Sequence, residues 1–247
     1  SPRSGAKWPP LDNGWKNRHN ERKPTNRPAP AQVKGTKMAT VTLTRKRART
    51  FGPHSAGTLM TPREFDRAEF VEGNRYELIH GVLVVSPTPL ENERDPNEEL
   101  GHWLRTYKEF HPLGASLDAT LPEHLVRMQR NRRRADRAIW TGLGHLPRKK
   151  DTPTILIEFV SAGKKDRLRD YEEKREEYME IGVIQYWVID RFARTLTFFF
   201  LQENKIRKRV FRENKIVKAE LLPGFEFPLA RLLAFADRWP EEDPESP

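Results

Sequence analysis

Two carboxylates and a lysine are spaced so that they could do chemistry together. Asp136 lies in RRRADRAIW, Glu158 in TPTILIEFVS, and Lys174 in DYEEKREEYMEIG, which runs into VIQYWVID. Both acids sit inside apolar, strand-like stretches, where an ionised carboxylate is costly unless something pairs with it. Two such acids on neighbouring strands are most simply explained by a shared divalent cation. Mg²⁺ takes hard oxygen ligands, usually one or two carboxylates with waters completing its octahedron. A nearby cationic side chain helps stabilise a pentavalent phosphorus or orients the attacking water. Acid, acid and lysine around Mg²⁺ are equipment for cutting a phosphodiester.

The surrounding elements must bring these residues together. ILIEFVS is almost continuously apolar, as expected of a strand buried on both faces. DYEEKREEYMEIG reads as a helix that stops at Gly182, and VIQYWVID as a second buried strand. This strand–helix–strand unit is expected to cross over with the right hand. Asp170 and Lys174 are four residues apart, as are Lys174 and Tyr178, so the three share one helix face. Upstream, Thr61-Pro62 opens a helix over REFDRAEF. RYELIHGVLVVSP reads as a hairpin turning at His80-Gly81. PNEELGHWLRTYKEFH places Leu100, Trp103, Leu104 and Tyr107 on one helix face, and ASLDATLP alternates like a strand. Downstream, TLTFFFLQ, KIRKRVFR and KIVKAE suggest an antiparallel meander, followed by a turn and closing helix in PGFEFPLARLLAFADRW. The fold class is α/β: a mixed central sheet flanked by helices, with antiparallel C-terminal strands.

Composition bounds the rest. The chain has 247 residues and a formal net charge of +10, but the excess is local. Residues 1–50 hold 13 Lys or Arg and 2 Asp or Glu, while the remainder holds 32 and 33. The folded part is close to neutral, so charge alone does not license a nucleic-acid partner. The run RKRAR, Arg45 to Arg49, reads as a solvated basic tail or a non-specific phosphate contact. The chain contains no cysteine, which excludes disulfides and thiolate metal sites. No stretch approaches the roughly 20 apolar residues of a membrane span, and no signal peptide opens the chain. The expectation is a soluble, cytoplasmic protein. Residues 1–57 read as a basic, disordered tail, 58–238 as the folded domain and 239–247 as a loose acidic tail. Met38 is an alternative natural start.

Five segments carry a resemblance: RYELIHGVLV, RRRADRAIW, ILIEFVSAG, DYEEKREEYMEIGVIQYWVID and LLPGFEFPLARLL. In their order and spacing the chain resembles the Uma-type restriction endonuclease family, part of the PD-(D/E)XK nuclease superfamily. The resemblance implies a restriction-endonuclease-like fold, with Asp136 as the motif aspartate and Glu158 as the second metal ligand. It implies Glu77 as a further acid at the metal and Lys174 as the helical lysine. The superfamily pattern has a lysine two residues after the glutamate, where this chain has Val160. Lys174 is read as its substitute, with Lys164 and Lys165 as alternatives. Ala135 stands in place of the usual proline, and His80 in place of the common aspartate. The implied protein is an Mg²⁺-dependent endonuclease, with Mn²⁺ as a substitute, acting on DNA. It needs no small-molecule cofactor, and double-strand cutting favours a homodimer.

Rival readings are an inactive nucleic-acid-binding module of the same fold and a structural protein with a buried ion network. A two-carboxylate glycosidase is disfavoured by the helical lysine and the strand order. Arg130, Arg132, Arg133 and Arg134 are candidate phosphate contacts beside Asp136. Asp118 is a further candidate for the same site. Tyr178, Trp187 and Phe198 to Phe200 read as core, and His102 and His111 lack metal-ligand spacing.

Overall fold

The computed structural model describes residues 49–163 and 167–239, all within the compact unit Lys46–Pro247. Most of the basic tail, Lys164, Lys165 and the acidic end lie outside the described residues. The chain enters through β1 (Thr50–Phe51), upstream of the expected boundary at residue 58, because Phe51 is buried against Phe70 and Tyr76. Thr61 caps α1 (Pro62–Phe65). Its hydroxyl accepts from the Glu64 N–H at 3.2 Å, and the Glu64 carboxylate accepts from the Thr61 N–H at 2.7 Å, a reciprocal capping box. The helix lasts one turn rather than running through REFDRAEF. Phe70 turns into the cluster that Phe65 also joins, so β2 (Glu69–Phe70) extends and pairs in parallel with β1.

The hairpin of β3 (Asn74–Ile79) and β4 (Val82–Pro87) turns at His80-Gly81, whose φ values of 51° and 82° are both left-handed. Helix α2 (Glu91–Phe110) follows, then three strands: β5 (Leu117–Arg127), β6 (Arg132–Thr141) and β7 (Ile155–Phe159). A π-helical segment, Arg169–Glu173, continues as α3 (Lys174–Glu180) and ends at Gly182 with φ 88°. Then come β8 (Gln185–Asp190), β9 (Thr195–Gln202) and β10 (Lys205–Arg212). The chain closes with β11 (Ile216–Lys218), β12 (Glu226–Pro228) and α4 (Leu229–Asp237).

The main sheet runs β10-β9-β8-β7-β6-β3-β4, with β5 also paired to β6. Strands β7 and β8 are parallel and its other pairs antiparallel. This is the expected mixed sheet, with one departure. KIVKAE does not extend the meander: β11 pairs with β12 in a separate two-stranded sheet. The physical reason is burial, since Val217 and Phe227 join the cluster beneath α2 and α4.

Alternation on β7 divides the core. Ile155, Ile157 and Phe159 face α2 and α4, together with Ile139, Trp187 and Phe198. Leu156 and Val160 face α3, with Tyr178, Met179, Tyr186 and Phe199. Glu158 therefore falls on the α3 face. On the opposite side the fully buried Arg137 ties α2 to β6, donating to Asn97 Oδ1 and to the Asn97 carbonyl at 2.7 Å each. Gly101 leaves it room, because a Cβ there would lie 2.5 Å from Arg137 Nη2. Among the described residues no helix is long and apolar enough to cross a membrane.

Asp66, just after α1, receives a forked pair of hydrogen bonds from Arg132 at the start of β6, at 2.9 and 2.8 Å. That hydrogen bonding, with lesser help from Arg127, lowers the Asp66 carboxyl below its ordinary value of 3.8. A depressed acid stabilises the fold above its unfolded pKa, and this contribution fades as pH falls through the folded value. Asp66 itself is exposed, so solvent screens the pair and Asp66→Asn should cost about 0.5–1 kcal/mol at neutral pH. In urea unfolding, the gap between variant and parent should close below the ordinary aspartate value of 3.8.

Candidate active site

The site forms where the sheet splits. Strand β5 runs alongside β6 from one end to the other. On the other side of β6, β3 pairs only at Leu78↔Arg132, and β7 only from Arg137 to Ile139. Residues 133–136 of β6 therefore have no ladder partner on that side. Buried backbone groups need partners, and here side chains supply them. Glu77 Oε1 accepts from the Arg134 N–H at 2.7 Å, and Arg75 Nη2 donates to the Arg134 carbonyl at 3.2 Å. Asn97 Nδ2 donates to the Asp136 carbonyl at 2.8 Å. Across the split, Asp136 Oδ2 accepts from the Phe159 N–H at 2.7 Å.

The β6–β7 register pairs Arg137 with Ile157, so the next step sets Asp136 beside Glu158 at the point where the ladder ends. Asp136 Oδ1 receives Arg75 at 2.9 Å, and Arg75 Nε lies 3.1 Å from Glu123 Oε2. Glu123 has φ 49°, a left-handed conformation inside β5. Non-glycine residues in that region store strain of order 1 kcal/mol or more.

Glu158 is held by α3. Its Oε2 lies 2.8 Å from Lys174 Nζ, and its Oε1 accepts from the Tyr178 hydroxyl at 3.0 Å. Lys174 Nζ is also 3.2 Å from Asp170 Oδ1, and the Asp170 carbonyl accepts from Tyr186 at 2.9 Å. The expected i, i+4 face is thus realised, with a π turn directly before Lys174, whose N–H bonds the Arg169 carbonyl. Such turns recur at functional sites. Glu158 and Lys174 are only 2% and 3% exposed, and Asp136 5%.

Burial dominates the electrostatics of the site, with neighbouring acids adding to it. Burial, and then Asp136 and Asp170, push Glu158 up against the opposing pull of Lys174. Burial and Asp136 likewise push Glu123 up to about 7, against Arg75. Glu93, bonded to Ser161, is raised by burial and by Asp136. Burial opposes protonation of Lys174, yet Asp170 and Glu158 raise its pKa above the ordinary value. Hard oxygens on adjacent strands are the ligand type that a divalent cation takes. Among the described residues no three acids or histidines converge at metal-binding geometry; Asp136 and Glu158 are the pair of carboxylates that stand side by side.

The structure brings Asp136, Glu158, Lys174 and Glu77 to one locality. It does not assemble the expected arginine rim. Arg132 is engaged by Asp66, and the fully buried Arg133 lies 2.7 Å from Glu177 and 3.3 Å from Glu173. Arg134 donates to the Glu123 carbonyl at 2.8 Å, leaving only Arg130 exposed. The reason is that β6 begins at Arg132, so three of the four arginines are strand residues inside the fold. Asp118 is also elsewhere. It holds the β6–β7 loop by accepting from the N–H groups of Leu143 and Gly144.

Sequence reasoning missed Arg75, Glu93, Asn97 and Glu123. Arg75 was within reach, since it lies two residues before Glu77 on one strand and so shares its face. Glu123 and Asn97 carry no such signal, because their approach depends on a strand kink and a helix docking.

A family model described as "Putative restriction endonuclease", Uma2, matches residues 62–230. Among solved structures, a putative nuclease from Anabaena variabilis aligns with TM-score 0.58 at 14% identity, covering 72% of this chain and 99% of that one. At that identity the likeness is one of fold. No curated protein matches the chain. With most of its length matched by the family model and the fold shared, the chain belongs to the Uma2 family of putative restriction endonucleases.

Proposed function

We propose that the protein is a divalent-metal-dependent endonuclease that hydrolyses phosphodiester bonds of DNA. In this reading Asp136 and Glu158 hold Mg²⁺ or Mn²⁺, Glu77 supports the same centre, and Lys174 assists. The observation that carries it is convergence: β6, β7 and α3 deliver two acids and a lysine to the end of one ladder, with Lys174 Nζ 2.8 Å from Glu158. A bound divalent cation would neutralise phosphate oxygens and make water more acidic. The chain's own groups orient and exclude. The Phe159 N–H and Arg75 fix the Asp136 carboxylate. Tyr178 fixes Glu158, and Asp170 holds Lys174 protonated, as a donor to a phosphate oxygen or to the attacking water. Glu77 spans the split and keeps β6 in place beneath them. Cutting both strands of a duplex would call for two copies.

A second reading has a specific observation in its favour. All four carboxylate oxygens of Asp136 and Glu158 already have protein partners. The same residues would then be a closed ion network in a nucleic-acid-binding module without turnover.

Two measurements separate the readings. In thermal unfolding of the full chain with and without Mg²⁺ or Mn²⁺, the parent should gain about 2–4 °C for each kcal/mol of binding linkage. Asp136→Asn should lose that gain, together with metal-dependent plasmid cleavage. A parent indifferent to either ion and inert on plasmid would refute the nuclease reading. In denaturant unfolding without metal, Glu158→Gln removes one of several mutually repelling charges while Asp170 still pairs Lys174. The metal-centre reading expects a change within about 1 kcal/mol, whereas breaking a network built for stability would cost about 3–5 kcal/mol.

A further inference from the structure

The nearly neutral folded part hides a local concentration of charge on β10. Its eight residues, KIRKRVFR, include five cations: Lys205, Arg207, Lys208, Arg209 and Arg212. Seven of the eight are exposed, Phe211 alone being half-buried, so both faces of the strand meet solvent. Among the described residues β10 pairs only with β9, leaving it as the open edge of the main sheet. The two strands join at Glu203-Asn204, with φ 52° and 57°. They make a two-stranded ribbon whose outer strand is basic along its length.

Such an edge invites either another strand or a polyanion. Self-pairing is disfavoured by arithmetic. In a symmetric antiparallel pair of two β10 strands, Lys208 of one copy meets Arg209 of the other, and Lys205 meets Arg212. Like charges directly opposite are destabilising. The salt links do not remove the charge either, since among the described residues Arg209 is the one of the five cations with an ion pair, to Glu220.

Register connects the strand to the candidate site. Glu158 pairs with Val188, Val188 with Thr197, and Thr197 with Val210. Directly opposed residues share a sheet face, so Val210 and its neighbours Lys208 and Arg212 lie on the Glu158 side. Three strand spacings of about 4.8 Å set Val210 roughly 14 Å from Glu158.

We propose that the β9–β10 ribbon is a DNA-backbone contact surface, holding phosphates of the substrate that Asp136 and Glu158 address. It rests on the nuclease reading for its substrate, but binding can be tested apart from cleavage. A two-stranded ribbon also fits the major groove.

The test uses the full chain carrying Asp136→Asn, which removes cleavage, and a 20-base-pair duplex titrated over a range of salt. Arg207→Gln, from the ribbon's other face, and Lys208→Gln and Arg212→Gln are then added together. As a control the same number of charges is removed at Arg63, Arg67 and Arg105, exposed residues of other elements. Each phosphate contact contributes about 0.9 to the log–log salt slope, so the ribbon variant should lose about 2–3 from it and bind at least tenfold more weakly. The control should change far less. Equal losses in both variants, or no binding by the parent, would overturn the proposal. So would sedimentation showing that the ribbon variant turns a dimer into a monomer, which would assign the edge to self-association. Ribbon-dependent binding by a parent that never cleaves would retain the surface and remove the nuclease reading. Cleavage that survives with an unchanged salt slope would do the reverse.

Discussion

Everything at the site depends on four residues of β6 that have no ladder partner on one side. A buried backbone N–H or carbonyl without a partner costs as much as a lost hydrogen bond, so the split between β3 and β7 can exist only if something else satisfies those groups. Glu77, Arg75 and Asn97 do so from three directions. The consequence is chemical as well as structural. A gap lined by polar side chains is a place where a carboxylate such as Asp136 can sit inside a sheet without pairing to another strand.

The same gap explains the crowding of charge. Glu93 and Glu123 lie close enough to Asp136 to feel its charge, and burial amplifies the repulsion. Arg75 and Lys174 offset part of this, but Glu93, Glu123 and Glu158 are all still pushed up. An apolar filling would be more stable in such a location. Retaining an excess of acids where the fold could have been closed with hydrocarbon is the pattern expected of a functional site.

Positioning is divided between rigid and strained parts. β7 is buried along its whole length and carries Glu158 between two helical layers. Helix α3 brings Lys174 and Tyr178 to that one carboxylate, through a π turn that resets its phase. Glu123 reaches Arg75 only because β5 tolerates a left-handed residue in mid-strand. Membership of the Uma2 family is consistent with such a plan, in which the strands fix the acids and the helix adds the lysine.

Much was legible from residues alone. The apolar run around Glu158, the i, i+4 set of Asp170, Lys174 and Tyr178, the cap at Thr61 and the turn at His80-Gly81 follow from local periodicity and turn chemistry. These are short-range rules, and the structure keeps them. What the sequence could not decide was every feature set by distant pairing. Arg132 to Arg134 read as a basic rim, and became internal because β6 starts at Arg132 and finds Asp66, Glu177 and Glu123 around it. KIVKAE read as one more strand of the meander, and left it because Val217 had a better burial site beneath α2 and α4. Arg75 and Asn97 gained their partners only when a hairpin and a helix docked on the split. By itself the sequence determined which residues prefer strand, helix, turn or interior, because those preferences act over a few positions. Only the tertiary structure decided which charges meet, because burial and pairing energies depend on neighbours the chain supplies from dozens of residues away.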